Sequence, residues 1–188
     1  MNYAFLVKIL YFFIVAMLLA LLEIQIEGPN GWAAKLPTWR ARLGTRFDKL
    51  FKKFFHEKDL TGYFLALNTF LLVVFHMPFI WHFQWSIWEE LSILSVYVIF
   101  AATWDFLWFV LNPKFSLRKF DKKHVWWHKK WWGVMPVDYY MAIILSIVFL
   151  LPETIMINPI EGIFKIVALL GLNIILISIT IMIYPKAY

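Results

Sequence analysis

Residues 88–113 read WEELSILSVYVIFAATWDFLWFVLNP, a run long and apolar enough to cross a bilayer, with Glu90 near its start and Asp105 well inside it. An ionised carboxylate in hydrocarbon is costly unless it is paired, ligated or facing a wet cavity, so an intramembrane acid marks a candidate functional site. Asp105 precedes the Asn112-Pro113 exit by two helical turns, about 10 Å of depth at ~1.5 Å per residue. Upstream, Ser86 and Glu89 have the S-x-x-E spacing of a capping box, which gives Glu89 a structural role at the helix start and leaves Glu90 without one.

Working outward on the N-terminal side, residues 61–81, TGYFLALNTFLLVVFHMPFIW, form a second span that carries Asn68 and His76, with Asp59 as its expected N-cap. Residues 3–26 form the first span and end at Gly28-Pro29-Asn30-Gly31, a cluster of helix-ending and turn-forming residues. A cleaved leader is the rival reading of this N-terminal run, but the run is long and residues 23–27, EIQIE, make a poor small-residue cleavage site, so a retained anchor is expected. On the C-terminal side, Asp138 after Pro136 reads as the N-cap of a short span over 139–151. Asn158-Pro159 opens a last span over 160–184, in which Glu161 and Lys165 have the i,i+4 spacing of an ion pair.

The expected fold class is therefore all-α integral membrane, with five transmembrane helices at about 3–26, 61–81, 87–111, 139–151 and 160–184 in a single polytopic domain, 1–188. Composition agrees: 62% of the 188 residues are hydrophobic and mean hydropathy is +0.70, against roughly 45–50% apolar residues in soluble domains. The absence of cysteine excludes disulfides, thiolate metal sites and thiol nucleophiles. The net charge of +6 could suggest nucleic acid. The basic residues flank apolar runs, however, as loops facing anionic lipid headgroups do, and no nucleic-acid partner is expected.

Two polar stretches carry that charge. Between 38 and 56, Trp39, Leu43, Phe47, Leu50, Phe51, Phe54 and Phe55 recur at three- and four-residue steps among arginines and lysines, the pattern of a basic amphipathic helix lying in the headgroup plane. Between 112 and 137, Trp126, Trp127, Trp131 and Trp132 alternate with lysines, as at a membrane–water interface. The 82–86 and 152–158 connections contain no lysine or arginine. Positive loops stay inside, so the N-terminus is expected outside and the C-terminus in the cytoplasm.

This topology sorts the polar residues into two layers. The inner layer holds Glu23 and Glu27, four apart on one helix face, with Asp105 and with His124 and His128, which would share a face with Asp121 if their loop were helical. Carboxylate with imidazole is the ligand set of a divalent Zn, Fe or Mn ion, and Glu23, Glu27, Asp105, His124 and His128 are the candidate ligands. The H-x-x-x-H spacing lacks the glutamate of a zinc protease, because Val125 follows His124. The outer layer pairs His76 with Glu90, a candidate proton-handling couple. No nucleotide-binding glycine loop or nucleophile-elbow motif is present. The expected function is a small membrane enzyme acting on a lipid or isoprenoid-like substrate near the cytoplasmic leaflet, through a metal site or through acid–base chemistry by Asp105, Glu90 and His76. A non-catalytic transporter subunit or scaffold, with the same acids lining an ion or proton path, is the alternative.

Overall fold

Six helices account for most of the chain in a computed structural model that describes residues 3–55, 58–82 (residue 82 by its backbone only) and 85–184. Residue 56 of the expected interfacial helix, residues 83–84 of the second connection and the last four residues lie outside that set. The long helices are α1 (Tyr3–Glu27), α3 (Gly62–His82), α4 (Ile87–Leu111), α5 (Val137–Met156) and α6 (Pro159–Ile183), and the short α2 covers Arg46–Phe54. The five long helices are apolar enough to cross a membrane, and the fold is that of an all-α integral membrane protein.

Helix α4 is the axis of the bundle. It is the most buried of the five and packs against α1, α5 and α6. It runs parallel to α1: Lys8 meets Glu89 at 3.6 Å at one end, and at the other the Asn112 side chain donates to the carbonyl of Gly28 at 2.9 Å. Polar clasps lock the interior, including Ser95 with Ser146 at 3.1 Å and Thr103 with Asn173 at 3.2 Å. Such pairs matter in lipid because an unsatisfied polar group has no water to turn to. Gly162 lets α5 and α6 touch, since a Cβ there would stand 2.1 Å from the Thr154 hydroxyl.

Helix α3 meets α4 along only a short stretch. Its far half is anchored by buried Phe75, stacked on Phe12 at 4.1 Å and edge-on to Phe100 at 5.0 Å. Its near half diverges from α4 and α5, and the gap it leaves is the cavity described below.

Several boundaries differ from expectation. The interfacial helix is only α2, because residues 40–45 are not helical: Arg40 bridges to Thr61, residues 43–44 form a turn and Thr45 caps α2. Asp59 does not cap α3: it pairs with Lys52 at 3.3 Å, and the Thr61 hydroxyl accepts from the Phe64 N–H instead. Asp138 lies inside the first turn of α5 rather than at its cap, and α5 continues past Pro152 to Met156. A proline costs one backbone hydrogen bond, which membrane helices tolerate when neighbours pack around the site. Lys165 is held chiefly by Glu153 of the preceding helix at 2.6 Å, with Glu161 at 3.9 Å. The 112–137 stretch is not an α-helix. It contains one 3-10 turn, Leu117–Lys119, and a hairpin of β1 (Trp131–Trp132) with β2 (Met135–Pro136).

Candidate functional site

His128 reaches the interior because the loop before it is pinned on both sides. Asp121 takes the backbone N–H groups of Lys123 and His124 at 2.8 and 3.0 Å, closing a turn. Val125 and Trp127 then plug into the core, with Trp127 stacked parallel to Phe109 at 5.6 Å and edge-on to Trp108 at the same distance. The next residue, His128, is thereby driven inward, and its carbonyl is held by the Trp131 indole at 2.8 Å.

The imidazole sits between two carboxylates. Nδ1 lies 2.9 Å from Asp138 and Nε2 lies 3.0 Å from Asp105, with the ring side chain only 1% exposed. Lys58 completes the row, 2.8 Å from Asp138, and its ammonium also lies 4.9 Å from the Trp32 ring centroid. The same Oδ2 of Asp105 that faces His128 accepts the Tyr139 hydroxyl at 2.5 Å. Its Oδ1 accepts from no described residue, although Asp105 lines the cavity. A neutral imidazole carries one N–H, so with both carboxyls ionised the ring must hold two protons; otherwise one carboxyl holds a proton itself.

The cavity has a volume of about 480 Å³, inside the range of ligand sites. Its polar end gathers Glu23, Glu27, Lys58, Asp105, His128 and Asp138. Its other end is an apolar slot between α3, α4 and α5, lined by Leu67, Ala101, Ala102, Ala142 and Leu145 among others. Glu23 accepts from the Tyr63 hydroxyl at 3.3 Å. Glu27 accepts from the Ala33 N–H and so holds a turn in which Trp32 and Ala33 both have positive φ, 47° and 51°. Gly31, at φ 62°, completes that turn against Trp127, where a Cβ would come within 2.6 Å of the ring.

The expected inner layer therefore assembles in part. Glu23, Glu27, Asp105 and His128 share one cavity, whereas His124 is exposed and pairs with Asp121 at 2.8 Å, because the helical spacing that would align it with His128 does not exist in this loop. Among the described residues, no three His, Asp or Glu side chains are gathered as a metal-binding set. A divalent ion at His128 would have to displace one of its two carboxylate contacts. The outer pair forms as expected. His76 Nε2 lies 2.9 Å from Glu90, which also accepts from the Trp85 indole at 3.0 Å, and Nδ1 of the ring faces the Leu72 carbonyl at 2.6 Å.

Lys58, Asp138, Tyr63, Tyr139 and Trp108 escape the sequence reading. Asp138 had one available signal, an acid one step inside a span with no lysine or arginine in the following turn. Trp108 is buried, lines the cavity, and its indole Nε1 has no hydrogen-bond partner among the described residues. Comparison with protein-family models, curated proteins and solved structures finds no match for the chain.

Proposed function

We propose that this is a membrane enzyme that moves a proton on an amphipathic, lipid-like substrate, with Asp105 as the acid–base group. The observation that carries this reading is the state of Asp105: one oxygen is tied by His128 and Tyr139, and the other has no described partner in the wall of a half-polar, half-apolar cavity. A carboxyl held at one oxygen by a hydroxyl donor and an imidazole is fixed in orientation, which acid–base catalysis requires. His128 and Tyr139 offset the charge that develops on Asp105, and Lys58 and Asp138 orient the imidazole. The polar end takes the reacting head of the substrate, and the slot between α3, α4 and α5 takes its chain.

The two basic loops, with the polar end of the cavity between them, face the cytoplasm under the positive-inside rule. Phe47, Leu50 and Phe54 of α2 are exposed while Phe51 is buried against Phe64. Such a helix rests its exposed rings among anionic headgroups and stands at the cavity mouth, where Phe54 and Phe55 contribute lining. A reporter fused after Tyr188 reads cytoplasmic and one inserted at 153–158 reads external if this orientation is right; the reverse pattern overturns it. The activity itself is tested by incubating the purified protein with a total membrane-lipid extract and following species by mass spectrometry. One lipid falls while another rises on the present reading. A profile unchanged by the protein contradicts it.

A further inference from the structure

The formal charges on the cavity wall do not balance. Among the described residues, four carboxyl groups, Glu23, Glu27, Asp105 and Asp138, face one lysine and one histidine. Both basic groups are already engaged, Lys58 by Asp138 and His128 by Asp105 and Asp138. No described lysine, arginine or histidine forms an ion pair with Glu23 or Glu27; Glu23 meets the Tyr63 hydroxyl and the Trp104 side chain, and Glu27 meets the backbone N–H groups of Trp32 and Ala33. Glu27 is 8% exposed, so water does little to offset its charge.

The remaining wall at this end is aromatic. Trp32, Trp104, Trp108 and Trp127 line it together, and indole is the ring that attracts a cation best. Trp108 adds a buried N–H donor without an acceptor among the described residues. An anionic head would meet the carboxyls and find the basic groups occupied. An organic cation would meet unpaired acids and indole rings, and an oxygen beside that cation would satisfy Trp108.

We infer that the substrate of this cavity is a single-chain amphiphile with an organic ammonium head, held by Glu23 and Glu27 within the tryptophan wall, with its chain in the slot between α3, α4 and α5. This assignment rests on the reading of the cavity as the substrate site, and it narrows the substrate class.

The test uses the full-length protein purified in an uncharged detergent and three probes with one chain and different heads: dodecyltrimethylammonium, dodecanol and dodecyl sulfate. Intrinsic tryptophan fluorescence reads saturable binding. The ammonium probe binds about tenfold more tightly than the other two, and Glu23→Gln removes about that factor for the ammonium probe alone. Glu23→Asp, which keeps the charge, retains the preference and controls for a folding defect in the glutamine variant. Ala101→Trp, which fills the slot, weakens all three probes. Equal binding of the three heads, lost in Ala101→Trp, overturns the cationic head and leaves the amphiphile cavity standing. Tightest binding of the sulfate, or an ammonium preference that survives Glu23→Gln, also overturns it. No saturable binding of any probe overturns the substrate cavity together with its charge preference.

Discussion

Each end of the bundle holds a histidine against a carboxylate at nearly the same distance, 3.0 Å for His128 with Asp105 and 2.9 Å for His76 with Glu90, yet the two pairs are built differently. The His76 side chain is 33% exposed, contacts one carboxylate, and satisfies its second nitrogen on a carbonyl of its own helix. His128, on a loop, is 1% exposed, contacts two carboxylates from α4 and α5, and stands in the wall of a large cavity. The pairs lie about 22 Å apart along α4, from the fifteen-residue separation of Glu90 and Asp105 at ~1.5 Å per residue. Pair geometry alone does not identify a site. Burial, the number of carboxylates sharing one ring, and adjoining empty volume separate a group set up to react from one that ties a helix end to its neighbour.

The sharpest way to break this comparison is to remove each ring. His128→Ala leaves Asp105 and Asp138 facing each other without the imidazole between them, and removing one partner of a buried pair costs ~3–5 kcal/mol. His76→Ala affects a partly exposed pair and costs under ~1 kcal/mol. Thermal unfolding in detergent checks both, and similar losses from the two substitutions would erase the distinction. A smaller loss follows from the wall of the cavity. Gly31→Ala must place a Cβ against Trp127, itself wedged between Phe109 and Trp108, in a left-handed conformation, which costs ~1–3 kcal/mol. Its companion Gly28→Ala meets nothing within 4 Å, so it incurs the backbone cost alone. Equal midpoints for the two glycine variants would show that Trp127 does not fix this wall.

The smallest effect belongs to the loop pair. The His124 side chain, and then the backbone N–H groups of Lys123 and His124, hold the Asp121 carboxyl below its usual range. A lowered folded value contributes stability above the ordinary carboxylate range, and that contribution disappears as pH falls through the folded value. Asp121→Asn therefore flattens the acid limb of the stability profile slightly and leaves neutral pH almost unchanged. A large loss at neutral pH would place Asp121 among the residues that organise the cavity.

What was legible in the chain follows a physical division. The five spans were readable because bilayer thickness imposes a minimum apolar length, and the observed helices start and stop within a few residues of the reading, except at Pro152. The His76–Glu90 pair was readable because a short connection confines its two helix ends. In the inner site, helix periodicity aligned Glu23 with Glu27, and the order of the spans put Asp105 at the same depth. Lys58 and Asp138 lie eighty positions apart and meet because the 28–61 loop folds back through left-handed residues at Gly31, Trp32 and Ala33. That conformation leaves no periodic trace in the sequence. A helical spacing would group His124 with His128, but the turn pinned by Asp121 leaves His124 exposed and His128 buried.

Whether Asp105 reacts is decided by Asp105→Asn. The amide oxygen still accepts from His128 and Tyr139, so unfolding should change by no more than ~1 kcal/mol, while loss of the acid–base group lowers conversion of the lipid substrate ~10²- to 10⁴-fold. Metal content is measured on the same samples. The account predicts a folded, inactive variant whose zinc, iron and manganese match a wild-type protein that carries none in stoichiometric amount. A steep drop in the unfolding midpoint with lipid conversion retained would make Asp105 a packing residue, and stoichiometric metal lost on substitution would make it a metal ligand.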